Sequence, residues 1–158
     1  MGNATNALLE DLKTAWRPLE DAVSAMTDDD WERATSSGWT AKEMLAHVGF
    51  WDEAAVPVIT YMLRGQDIPK RDWFESGFRP PEDRDWPPAY EHNAREAEWG
   101  REHSSGEVRG RLMRAHEAMT AAAGTIADDE ASQRAGYIQD QCAHYREHLA
   151  ELRPLLER

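Results

Sequence analysis

Apolar side chains recur every three or four positions through most of the chain, the spacing of helices that bury one face. Leu8, Leu12, Trp16 or Ala15, Leu19, Val23 and Met26 form the first stripe, which predicts a helix from roughly Thr5 to Met26. Pro18 lies inside it and marks a kink or an earlier end. Thr27 then offers a cap for one short turn in "TDDDWERATSSG", and Gly38 ends the loop. Thr40 and Glu43 make a capping-box pattern, T-x-x-E, just ahead of Met44, Val48, Trp51, Ala55, Ile59 or Val58, and Met62. A second helix starts there, bends at Pro57 and stops near Gly65.

Residues 65–88 mix prolines and glycines with Trp73, Phe74, Phe78 and Trp86 and follow neither period. They predict a long ordered crossover anchored by its aromatics, which could also wall a substrate pocket. Asp85 followed by Pro87 and Pro88 suits the start of a helix reaching about His103. Ser104 and Glu107 repeat the capping box ahead of Val108, Leu112, Ala115, Met119, Ala122 and Ile126, so the third helix is broken or kinked near 100–105. The polar stretch "ADDEASQRAG" reads as a turn into a final helix, with Ile138, Cys142, Tyr145, Leu149, Leu152 and Leu156 on its core stripe. No segment alternates as a strand does. Four main amphipathic helices predict an all-α four-helix bundle, one domain over residues 1–158, with the long crossover between helices two and three.

Composition narrows the partners. Lys and Arg number 18 against 30 Asp and Glu, a formal net charge of -12, and the basic residues do not cluster. That balance opposes phosphate backbones and anionic membrane surfaces, so neither nucleic acid nor membrane is expected as a partner. No apolar run approaches the roughly 20 residues that span a bilayer, and "MGNATNALLEDLK" lacks the regions of a signal peptide. A cytoplasmic protein is the expectation. Cys142 is the only cysteine, which excludes an internal disulfide and a thiolate-rich metal site. Any bound metal must be held by nitrogen and oxygen.

The candidate chemistry lies in the histidines. In "QDQCAHYREHLAEL", His144 and His148 stand four apart, about one helical turn, and so point the same way beside the core stripe, together with Gln141. On helix two, His47 lies on a flank shared with Glu43 and Tyr61 and could face the same inter-helix space. Two imidazoles from one turn and a third from another helix leave open positions for water or substrate, as a catalytic metal requires. By spacing alone, histidines so placed are more often hydrogen-bonded surface or boundary residues than ligands, and His116, itself read as a boundary residue, is the best substitute ligand. No glutamate precedes a histidine by three, which removes the di-iron E-x-x-H pattern, and "HEAMT" lacks the second histidine of a zincin.

"GWTAKEMLAHVGFWDE" resembles the helix-two motif of the DinB/YfiT-like superfamily, and "HYREHLAEL" resembles that superfamily's terminal H-x3-H helix. "HNAREAEW" and "RLMRAHEAM" are similar to its third-helix segments, so the resemblance spans nearly the whole chain. It implies a DinB-like bundle in which His47, His144 and His148 hold a divalent metal, zinc first, with nickel or iron as alternatives. The superfamily includes mycothiol-dependent maleylpyruvate isomerases, bacillithiol transferases, the helical domain of sulfoxide synthases and hydrolases of reactive cyclopropanes, so fold does not settle the reaction. The implied activity is a metal-dependent transferase, isomerase or hydrolase acting on a small reactive molecule, with a low-molecular-weight thiol as a possible co-substrate. Glu43, Tyr61 and Gln141 are the candidates to orient a ligand or shuttle a proton, although Glu43 also has the capping box to serve. Two readings compete with the enzyme: a non-catalytic protein that sequesters a small molecule in the same cavity, and a helical dimerisation module with incidental histidines. A homodimer is expected under each.

Overall fold

The computed structural model describes residues 2–66 and 89–157. Its helices are α1 (Asn3–Ala25), α2 (Asp28–Trp31), α3 (Ala41–Thr60), α4 (Ala89–Glu102), α5 (Ser105–Ala123) and α6 (Asp128–Leu156), with one tight turn at Met62–Arg64 after α3. Among the described residues there is no strand, only an isolated backbone bridge between Ala34 and Thr40. The protein is an all-α bundle of four long helices, α1, α3, α5 and α6, with α2 and α4 as short additions. The predicted crossover with Trp73, Phe74, Phe78 and Trp86, and the helix start at Asp85 to Pro88, lie outside the described residues. No helix among those described is long and apolar enough to cross a membrane.

Most of the predicted stripe positions form the core, while Met26, Trp51, Met62 and Leu156 are only half-buried. Leu12, Leu19, Met44, Val48, Leu112, Met119, Ile138 and Leu152 have no exposed surface. α3 packs chiefly on α5 and α4, and α1 on α6. Both capping boxes form: the Thr40 and Ser104 hydroxyls accept the backbone N–H of Glu43 and Glu107, whose carboxylates return to the capping residues. The break predicted near 100–105 falls between Glu102 and Ser105.

One expectation is corrected, and two prolines sit inside helices as expected. α1 runs through Pro18 to Ala25 and α3 through Pro57 to Thr60, close to the ends the stripes predict, with Trp16, Leu19 and Ile59 on either side of the prolines held in the core. The stretch read as a turn, 127–136, is instead the start of α6. Asp128, Asp129 and Glu130 in its first turn complement the partial positive charge of a helix N-terminus. The Thr5 backbone N–H donates to Asp128 Oδ1 at 2.9 Å, the Thr5 hydroxyl donates to the Ile126 carbonyl at 2.8 Å, and Ala131 is buried. Tertiary contacts thus recruit a polar segment into a helix that its composition does not announce.

Two features fix α3, the helix that carries His47. Gly100 of α4 sits so close to it that a Cβ there would stand 2.7 Å from the Cβ of Ala46. Arg111 of α5, fully buried, donates to both carboxylate oxygens of Glu53 at 2.8 and 2.9 Å and to Glu96 of α4 at 2.7 Å, with its guanidinium 4.4 Å from the Trp99 ring. A bidentate arginine desolvated to this degree is stable only because both carboxylates meet it.

Candidate metal centre

His47 stands midway along α3 in a stretch, 41–50, in which every side chain is buried. His144 and His148 face it from α6, one helical turn apart. The His144 Nε2 lies 2.9 Å from His47 Nε2 and 2.9 Å from His148 Nε2. One ligand nitrogen from each of the three histidines lies within 4.8 Å of the other two, a grouping that could hold a metal ion. The structure thus brings together the three histidines that the sequence singled out. His47 and His148 are buried and His144 is half-buried, at the edge of an open pocket of about 480 Å3.

The protonation chemistry favours ligands. Burial, followed by the neighbouring His148, pushes His47 down to about 3, while Asn93 works weakly the other way. Burial and then His148 and His47 push His144 down to about 3. Burial also lowers His148, against the opposing pull of Glu151 and Glu147. All three are neutral imidazoles at pH 7, the form that coordinates a cation. His148 Nδ1 lies 3.1 Å from Glu151 Oε1, and since a carboxylate only accepts, Nδ1 carries the proton and the Nε2 lone pair is presented to the cluster. With that lone pair fixed, the remaining N–H of the cluster cannot satisfy two contacts at once. A divalent cation resolves this conflict, because it accepts all three lone pairs. On tetrahedral zinc two imidazole nitrogens stand about 3.3 Å apart, from Zn–N bonds of about 2.0–2.1 Å, so the observed spacing needs to open by only a few tenths of an ångström. The donor set fits a borderline cation held by imidazoles.

The surroundings come from four elements. Trp39, from the loop before α3, has its ring centroid 5.5 Å from that of His47, and Trp51, one turn after His47, has its centroid at 6.4 Å. Trp51 Nε1 donates to Asn93 Oδ1 of α4 at 2.9 Å. From α6, Asp140, Glu147 and Glu151 give the rim negative charge, and Gln141 lines the same pocket.

The other candidates lie elsewhere. Glu43 is tied up in its capping role: Oε2 accepts the Thr40 backbone N–H and Oε1 accepts Arg101 Nε, each at 2.7 Å. Tyr61 ends α3, fourteen residues and so about 21 Å along the helix from His47. His116 is no substitute ligand. It stacks on Trp16 with centroids 3.8 Å apart and lies 2.9 Å from the Tyr145 hydroxyl, in a different part of the bundle. Cys142 is buried, and burial pushes its thiol up. Sequence reasoning missed Glu151, Asn93 and Trp39. Only Glu151 left a usable signal, three residues after His148 on the same helix.

A family model described as the DinB superfamily matches residues 11–153. No curated protein and no solved structure matches the chain. An all-α bundle, a histidine from α3 converging with an H-x3-H pair from the last helix, and a family match over almost the full length lead to one statement: the chain belongs to the DinB superfamily.

Proposed function

We propose that the protein is a divalent-metal enzyme that transfers a thiol to, isomerises or hydrolyses a small reactive molecule at His47, His144 and His148. The observation that carries the reading is the convergence of three neutral imidazoles, His144 Nε2 lying 2.9 Å from the Nε2 of both His47 and His148, with Glu151 fixing the tautomer of one. A cation bound there supplies Lewis acidity, lowering the pKa of a thiol or water so that a nucleophile exists near neutral pH. Zinc is the first candidate, with nickel and iron accepted by the same nitrogen donors.

The chain's own residues supply the rest. Three uncharged imidazoles leave the cation's charge undiminished, and Glu151 holds His148 in its coordinating orientation. Trp39 and Trp51 stand beside His47 and keep water from part of its ring, which strengthens charge interactions there. The carboxylates of Asp140, Glu147 and Glu151 at the rim disfavour polyanionic substrates and leave proton acceptors beside the pocket.

Elemental analysis of protein purified without an affinity tag, beside a His144→Ala and His148→Ala double variant, tests this. About one metal per chain, lost in the variant, is expected. No metal in either protein after incubation with zinc or nickel would overturn the reading and leave sequestration without metal as the better one.

A further inference from the structure

The pocket in front of the histidines does not end at their rim. It shares Trp51 and Gln141 with a second recess of about 370 Å3 between α3 and α6. Ala54, Val58, Met62 and Tyr137 complete the walls of that recess, so apart from Gln141 it is lined by apolar and aromatic side chains. Burial, with the Asp52 carboxyl nearby as the lesser cause, pushes the Tyr137 phenol well above its usual range, so its hydroxyl is uncharged.

Gln141 stands where the two spaces meet. It is more than nine-tenths buried, and its Oε1 has no hydrogen-bond partner. A buried acceptor without a donor is costly. The atom itself exposes less than 1 Å2, so water or a donor on a bound molecule relieves it once the amide turns toward the pocket. Of the two, a ligand that also fills the apolar recess gains from burial as well.

We propose that Gln141 is a specificity-determining residue. The substrate class it selects has three parts in order: a sulfur or oxygen that meets the cation at the histidines, an adjacent N–H or O–H that donates to Gln141 Oε1, and an uncharged apolar portion in the recess. This rests on the metal-site reading above and extends it. The acidic rim of Asp140, Glu147 and Glu151 agrees with the absence of a second anionic group on the ligand.

The test uses the full-length protein loaded with cobalt(II), whose visible spectrum reports ligand binding without turnover. Acetohydroxamic and hexanohydroxamic acids are the probes, since each binds a metal through oxygen and keeps an adjacent N–H. Four further methylenes, each worth up to about fourfold when buried, should make the longer acid bind at least about tenfold more tightly. Met62→Trp, which fills the recess, should bring that ratio near one while leaving acetohydroxamate affinity unchanged. Gln141→Leu should weaken both hydroxamates about tenfold and leave butanethiol unaffected, because a thiolate carries no donor for Oε1. Normal cobalt uptake with equal affinities for the two acids, or equal effects of Gln141→Leu on hydroxamate and thiol, overturns this inference and spares the metal site. Failure to take up cobalt overturns both.

Discussion

Glu151 determines which nitrogen His148 offers to the cluster. By accepting the Nδ1 proton at 3.1 Å it leaves Nε2 as a lone pair facing His144 and His47. Outer partners of this kind are worth about 10–100-fold in metal affinity. Glu151→Ala is therefore expected to weaken zinc binding within that range in a competition titration against a chromogenic chelator, with full occupancy still reached at high zinc. Glu151→Gln, which keeps an acceptor for Nδ1, should recover most of the loss. Equal affinities for Glu151→Ala and the unaltered protein would show that burial alone sets the tautomer. His116→Asn is the matching control: stacked on Trp16 and bonded to Tyr145, it should leave metal stoichiometry untouched.

At the level of elements, the position of His47 depends on how closely α4 approaches α3. Gly100 makes that approach possible, and a Cβ at this position would also stand 3.1 Å from the Cα of Glu43. Alanine is the better helix former by about 1 kcal/mol, yet the contacts are backbone and a short side chain, which cannot swing away. Gly100→Ala should lower stability by about 1–3 kcal/mol, the range of overpacked cores, read from urea unfolding. A more stable variant would mean that α4 is free to shift. The stripes and the two capping boxes that define these helices were legible in the sequence because they depend on neighbours three or four positions away. The start of α6 was not, because Thr5 and Asp128 meet across more than a hundred residues. Arg111 was hidden for a similar reason: on the page it is a polar residue in a polar helix, and only the fold brings Glu53 and Glu96 to it. The candidate metal site falls between these cases. The pair on α6 is written in local spacing, whereas the meeting with His47 required the resemblance and then the fold.

Across the whole molecule, one polar chain joins all four long helices. The Tyr145 hydroxyl of α6 donates to Asp52 Oδ2 of α3 at 2.8 Å, His116 of α5 meets the same hydroxyl at 2.9 Å, and His116 stacks on Trp16 of α1. Because the phenol proton goes to Asp52, the His116 Nδ1–H donates to the phenol oxygen. His116 itself is pushed down to about 4 by burial, so it is neutral at pH 7 and offers Asp52 no counter-charge. Asp52 has no exposed surface, its Oδ1 has no partner, and burial raises its carboxyl well above 3.8 despite the bond from Tyr145. Such a group binds its proton more tightly folded than unfolded. Its contribution to stability is complete below about pH 3.8, the unfolded value, and is lost as pH rises toward the raised folded value. Each pH unit in that window costs at most about 1.4 kcal/mol. Asp52→Asn keeps an acceptor for Tyr145 and removes the titration. Its stability relative to the unaltered protein should therefore increase as pH is raised from 5 to 8, with the gap measured by urea unfolding at each pH. Taking the difference cancels the titration of every other group that the two proteins share. Parallel stability curves for the two proteins would show that the Asp52 carboxyl titrates alike in the folded and unfolded chains, against the effect of its burial.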